Sequence, residues 1–305
     1  MNILRLTDEM SVIFGHHPLF GNLPACNSLR IDGEVAVIID TGASEVAEYQ
    51  GKTEIVINTH FHKDHTILNH LFAEQAQLWV PAYSAEVFRN PEKVSEYTGI
   101  HLLDPESQQE LIASGRFSAN LQVHHTIQDG DVLDFGKTKL RVIHAPGHAC
   151  DHIMLYEEKN GILFSTDVDM TPFGPWYGNP HSSIVRFVED IEKIRAIRPA
   201  VLITSHMPQI YREDLDQLLD NYTGKIAKRD ERILNILREK PCTLEEVMEG
   251  RPIFRKHAPP VALNRLFDMF MIKHHLERLV EQGLVREEEG IYMLAEQPVH
   301  STSHR

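Results

Sequence analysis

The first two thirds of the chain alternate short, nearly continuous apolar runs with polar segments. The last third changes to a helical period. Runs such as VAVIID (35–40), EIVIN (54–58), QLWV (77–80), GILFSTDV (161–168) and AVLITS (200–205) are too short for helices and too apolar for loops, so they read as buried strands. DGDVLDFGKTKLRVI (129–143) alternates around a Phe-Gly pair and reads as a hairpin, with HIMLYEE (152–158) as a further strand. Short helices are expected over 43–50 and 66–76. Another follows Ser182 and Ser183, either of which can cap it; Ile184, Phe187, Val188, Ile191 and Ile194 give it an apolar stripe. Residues 84–119 are polar and helix-leaning, a helical insertion that either shapes a cleft or supports an interface.

Two halves emerge, each with hairpin-like strands followed by strand, helix and strand. Two sheets packed face to face with helices outside is the economical arrangement, an α/β fold of the αββα sandwich type. From about 213 the pattern is helical: 230–240, 243–250 and 264–282 read as three helices. GLVREEEGIYML (283–294) reads as a hairpin with an acidic turn. Three helices and a β-wing make a winged-helix domain, so the expected domains are 1–223, with the insertion at 84–119, and 224–305.

Composition narrows the class. The chain has 305 residues, 42% hydrophobic and 24% charged, ordinary for a soluble globular protein. No run approaches the roughly eighteen apolar residues of a membrane span, and the N-terminus does not read as a signal peptide. Cys26, Cys150 and Cys242 are few and far apart, which fits a reducing cytoplasm rather than a disulfide framework. The net charge of −14 is uneven: residues 1–223 hold 16 basic and 31 acidic residues (−15), whereas 224–305 hold 14 and 13 (+1). The first part should repel polyanions at long range.

The candidate chemistry lies where the strands end. EIVIN runs into THFHKDH (59–65), placing His60, His62, Asp64 and His65 in one turn. LRVI leads through His144 to APGH with His148, GILFST ends in Asp167, and AVLITS ends in His206. Buried strands do not need imidazoles or carboxylates at their ends. Together these groups suit divalent Zn, Fe, Mn or Co. His60 and His62 are two apart and point the same way in an extended segment. Asp64 and His65 can turn toward a second point, with Asp167 able to bridge two ions.

These residues, His60-x-His62-x-Asp64-His65, His148 in APGHACDH, Asp167 in FSTD and His206 in ITSH, resemble the metallo-β-lactamase superfamily over roughly residues 10–210. VIIDTG with Asp40, and Asn27 before SLRID, resemble its first strands. The resemblance implies that His60, His62 and His148 hold one ion, that Asp64, His65 and His206 hold the other, and that Asp167 bridges them. It also implies that Asp40 orients a ligand histidine. Asp at 167 resembles the glyoxalase II-like and general hydrolase branches. His62 stands where the flavo-diiron branch has Glu, which argues against that branch. The cofactor expected is a pair of divalent ions, zinc first, with iron or manganese as alternatives. Such ions, about 3.5–4 Å apart, share a water and lower its pKa, and Asp64 would hold and orient the resulting hydroxide.

The leading expectation is therefore a two-metal hydrolase of a small ester, thioester or lactone. One alternative is an endoribonuclease acting on single-stranded RNA, because APGHACDHIMLY with a C-terminal winged helix also resembles that branch. An iron-dependent oxygenase or redox protein is another. A homodimer is a further expectation. The winged helix reads as a packing or dimer element rather than a nucleic-acid reader: Asp268, Glu277 and Glu281 offset Arg265, Lys273 and Arg278, and its wing is acidic. Among the other candidates, Lys63 reads as solvent-facing, His144 and His152 as structural, and His16 and His17 as loop residues. His274 and His275 read as surface or interface residues. Trp176 and Tyr177, between Pro172, Pro175 and Pro180, read as a rigid packed loop or, more sharply, as a cleft wall.

Overall fold

In the computed structural model, residues 2–16, 25–113 and 122–295 are described; His17 and the 114–119 end of the insertion lie outside them. Two compact units divide the chain, residues 1–225 and 226–305.

The first unit contains two sheets. One has seven strands in sequential order: β1 (Ile3–Arg5), β2 (Met10–Ile13), β3 (Ser28–Asp32), β4 (Ala36–Ile39), β5 (Ile55–Ile57), β6 (Gln77–Pro81) and β7 (His125–Ile127). β1 to β4 pair antiparallel and β4 to β7 parallel. The other has six strands: β8 (Val132–Asp134), β9 (Lys139–His144), β10 (Ile153–Glu157), β11 (Ile162–Thr166), β12 (Val201–Thr204) and β13 (Ile210–Tyr211). Only the β11–β12 pair is parallel.

Alternation along the strands explains the layering. Val37 and Ile39 of β4 join Ile55, Ile57, Val142, Leu155, Phe164 and Ile203 in one core between the sheets. Ile38 and Val56 face the other way, into a second core with Val46, Phe72, Val87 and Phe88. Apolar burial on both faces is why these strands are continuous apolar runs rather than alternating ones.

Outside the sheets lie α1 (Lys63–Thr66), α2 (Ala85–Arg89), α3 (Pro91–Thr98), α4 (Pro105–Ala113) and α5 (Ile184–Ile197). The insertion is helical over its described part. The helix expected over 66–76 is reduced to the single turn of α1 and a 3-10 turn at Asn69–Leu71. The His65 carbonyl, which a continuing helix would use, instead accepts from Thr41 N and the Asn58 side chain. Of the two serines before α5, Ser183 is the cap, accepting from Arg186 N; Ser182 donates its hydroxyl to the His148 carbonyl at 2.6 Å.

A single 25-residue helix, α6 (Leu215–Glu239), carries the boundary between the units. A boundary at 223/224 therefore falls inside a continuous helix. The second unit continues with α7 (Leu244–Glu249) and α8 (Val261–Glu281). Its three-stranded sheet contains β14 (Cys242–Thr243), β15 (Val285–Glu288) and β16 (Ile291–Leu294), in the order β14-β16-β15. A Thr243–Glu246 capping box starts α7. The β15–β16 turn places both Glu289 and Gly290 at positive φ. No described helix is long and apolar enough to cross a membrane.

Candidate metal centre

β4, β5, β11 and β12 deliver their last residues to one edge of the sandwich, because each of the two pairs is parallel. Backbone bonds stitch the sheets together there: Ile153 N donates to Thr59 O at 3.1 Å and Asn27 N to Ser205 O at 2.6 Å. Two chain reversals at this edge use left-handed backbone at non-glycine residues, Asp40 (φ 57) and Thr166 (φ 50). Such conformations persist where the surroundings over-determine them, as at functional sites.

The structure brings all seven predicted ligands together in two groups, each with donor atoms within 4.8 Å of one another: His60, His62, His148 and Asp167, and then Asp64, His65 and His206. His62 Nδ1 lies 3.0 Å from His60 Nε2 and 2.9 Å from His148 Nε2. Asp167 spans both groups. Its Oδ2 is 3.3 Å from His148 and 3.4 Å from His206, and its Oδ1 is 3.1 Å from His65 Nε2. His206 Nε2 is also 3.4 Å from Asp64 Oδ2.

The far nitrogens fix the tautomers. His65 Nδ1–H donates to Asp40 Oδ2 at 2.8 Å. Asp40 also accepts from Thr59 N and Thr59 Oγ1, and Thr59 Oγ1 lies 3.2 Å from His60 Nδ1, so it can accept the His60 proton. His148 Nδ1–H donates to the Trp176 carbonyl at 3.0 Å. With these protons placed outward, the Nε2 atoms of His60, His65 and His148 present lone pairs to the site. The Asn179 amide nitrogen lies 2.6 Å from His62 Nε2. Turned end for end, that amide accepts from Nε2–H and leaves His62 Nδ1 its lone pair.

Lone pairs this close, His62 Nδ1 about 3 Å from each of the other two, repel unless a cation lies between them. Across the site, His65 Nε2 and Asp167 Oδ1 are buried and have no hydrogen-bond partner. Imidazole nitrogens and carboxylate oxygens are the donors that divalent zinc, iron or manganese take, so this donor set fits two ions.

Electrostatics separates the groups. Burial holds His60, His62 and His148 below the ordinary imidazole pKa, in the neutral form that ligates. Burial also opposes a proton on His206, yet the Asp167 carboxylate beside it pushes its pKa up to about 9. Asp167 itself, although buried, is held well below the usual carboxylate range by His65, His206 and His148.

The other candidates sort themselves by their partners. His152 is structural: Nδ1–H donates to Ala145 O at 2.8 Å, while Nε2 accepts from the Asp167 backbone N–H at 3.1 Å and contacts the Thr166 hydroxyl. His152 thereby aims Asp167. His144 bonds Cys150 O and stacks on Tyr83. His16 is exposed. Lys63 is half-buried rather than solvent-facing, and burial lowers its pKa. His275, expected at a surface or interface, is fully buried and paired with Asp230 at 2.6 Å; Asp268 is buried too, paired with His257 at 2.8 Å.

Three contributors escaped sequence reasoning. Asn179 and the Trp176 carbonyl hold His62 and His148. Asn27 Nδ2 donates to Thr204 O and Met207 O, bracketing His206. Asn27 carried a signal, its place before SLRID; Asn179 carried none.

Comparison with known proteins agrees with this architecture. The sequence model described as Metallo-beta-lactamase superfamily matches residues 21–206. A beta-lactamase-like protein 2 homolog of Drosophila melanogaster is 24% identical over 93% of this chain and 92% of that protein. An acyl-coenzyme A thioesterase of Homo sapiens is 33% identical over 104 residues, 32% of this chain and 37% of that one. The crystal structure of a metallo-beta-lactamase family protein from Thermus thermophilus superposes with a TM-score of 0.74 at 20% identity, covering 95% of this chain and all of that one. That likeness is one of fold.

Proposed function

Because the chain belongs to the metallo-beta-lactamase superfamily, we propose that it is a two-metal hydrolase of a small ester, thioester or lactone, with thioesters first. The observation that carries the reading is the set of imidazole lone pairs and Asp167 oxygens converging on two adjacent points. His60, His62 and His148 hold one ion, Asp64, His65 and His206 the other, and Asp167 lies between them. Zinc suits these nitrogen and oxygen donors; iron or manganese would also be accepted.

Bound there, the ions supply a water of lowered pKa and stabilise charge on the acyl oxygen. The chain's own residues do the rest. Asp40 fixes His65 directly and His60 through Thr59. Asp64, whose side chain is 14% exposed, lies at the open edge with His206 and orients the attacking water. Water adds to the carbonyl carbon and the carbon–sulfur or carbon–oxygen bond breaks. One of the water's protons goes to the departing thiolate or alkoxide and the other to solvent, leaving a carboxylate and a thiol or alcohol. The partial likeness to an acyl-coenzyme A thioesterase, and an aspartate at 167 as in glyoxalase II-like hydrolases, support placing thioesters first.

The second unit reads as a winged helix: the end of α6, with α7 and α8, beside the β15–β16 wing. Glu287, Glu288 and Glu289 are exposed on that wing, which supports a packing or dimer role over contact with phosphates. Free Cys26, Cys150 and Cys242 support a reducing cytoplasm. Metal-loaded protein should hydrolyse members of a thioester, ester and lactone panel, and leave labelled single-stranded RNA intact. Asp167→Asn should lower turnover more than 100-fold, since groups that only orient ligands already cost 10–100-fold. RNA cleavage without thioester turnover would overturn the reading. So would stoichiometric iron with oxygen consumption, which marks an oxygenase.

A further inference from the structure

A chain of aromatic rings runs from the helical insertion to the metal centre. Tyr97 of α3 stands edge-on to Phe61 at 5.8 Å and to His181 at 5.4 Å between ring centres. Phe61 meets the ligand His62 at 4.8 Å. Trp176 then stands edge-on to His62 at 5.4 Å and lies 5.2 Å from His148. The insertion and the loop after Asp167 therefore meet beside the same ligand.

Two contrasts mark this as more than filler. Tyr177, the neighbour of Trp176, is fully buried against Phe187 and anchors the loop, so the loop does not need the indole for its attachment. Trp176 is only half-buried, although it rests on two ligand imidazoles. Phe173, on the same loop, is 39% exposed. The Tyr97 ring is fixed, its hydroxyl donating to Glu86 Oε1 at 3.0 Å. Trp176, half-exposed against the rings of His62 and His148, offers apolar area beside the centre at low entropic cost, whereas Tyr97 packs on the outer core and reaches His62 through Phe61.

We propose that Trp176 is an aromatic wall that binds the apolar acyl group of the substrate, with Tyr97 supporting the His62 side through Phe61, so that the enzyme prefers long acyl chains over acetyl. This rests on the hydrolase reading above. The wall lies beside His62 and His148. The opposite group contains the side chains of Asp64 and His206, 14% and 16% exposed, which leaves that side for the departing group.

The test uses full-length, metal-loaded protein and thioesters of one thiol with acetyl to decanoyl acyl groups. In the wild type kcat/KM should rise with chain length. In Trp176→Ala the decanoyl-to-acetyl ratio should fall on the order of tenfold or more, Trp176→Phe should restore most of it, and Tyr97→Ala, which acts only through Phe61, should lower it less. Bound metal, measured in each variant, separates loss of the wall from loss of the centre. An unchanged ratio in variants that retain metal overturns the proposal, as does a preference that follows only the thiol. If no thioester, ester or lactone is hydrolysed, the hydrolase reading fails and the wall is read by binding instead. The chain has two tryptophans, so Trp79→Phe leaves Trp176 as the sole indole. Decanoate should then shift its emission at concentrations on the order of tenfold lower than acetate; equal response to both overturns the wall.

Discussion

His65 in the first unit and His275 in the second share two properties. Both are fully buried, and each lies against an aspartate, Asp40 at 2.8 Å and Asp230 at 2.6 Å. What lies beyond the pair differs. Asp230 also meets the Arg278 guanidinium, so charge is balanced within that cluster, and burial lowers the His275 pKa. His65 turns its Nε2 toward Asp167 and Asp64 without hydrogen-bonding either. Burial would lower its pKa too, but Cys26, Asp167, Asp40 and Asp64 together raise it well above the ordinary value. Burial pushes the Cys26 thiol up to about 12, so at neutral pH Cys26 is uncharged and the carboxylates carry the effect. A buried histidine–aspartate pair is thus no signal by itself; the excess of negative donors on the far side of the ring is what sets the His65 cluster apart.

The largest effect expected from this contrast is on stability. Asp230→Ala strands His275 and Arg278 together and should cost about 3 kcal/mol in denaturant unfolding while leaving bound metal unchanged. Metal loss at intact stability would erase the distinction between the clusters.

Asp40→Ala removes the acceptor that orients His65 directly and His60 through Thr59. Metal affinity, measured by competition with a chelator, should fall 10–100-fold. An unchanged affinity would mean that the ligand rings hold their aim without Asp40.

The smallest effect sharpens the contrast within the centre itself. In ion-free protein His206 titrates at about 9, so it is protonated at pH 7. Asp167, Asp40 and Asp64 raise His65 as well. An ion entering that group must displace protons, so its apparent affinity should rise at least about tenfold per pH unit up to about pH 9. The His60, His62 and His148 group, already neutral, should change little above pH 7. Zinc titrations at pH 6, 7 and 8 would read this as two sites diverging as pH falls; parallel curves would contradict the assignment of charge.

Much of this molecule is local and therefore legible in the chain. The doubly buried strands show as apolar runs because both of their faces meet a core. Their ends carry His60, Asp167 and His206 because a parallel strand leaves its sheet at one edge. The sequence by itself thus determined the sandwich and the seven donors at its rim. It did not determine the partners that aim those donors. Asn179 reaches His62 across 117 residues, and the Trp176 carbonyl reaches His148 from a loop with no periodicity. Side-chain direction on helices was equally hidden: nothing local shows that Asp268 and His275 turn inward, to His257 and Asp230, rather than to a surface or interface. The 66–76 segment has helical composition but loses its helix because Thr41 and Asn58 take the His65 carbonyl. Periodicity is written residue by residue, whereas a hydrogen bond across the fold exists only after packing has chosen the neighbours, and that choice belongs to the tertiary structure.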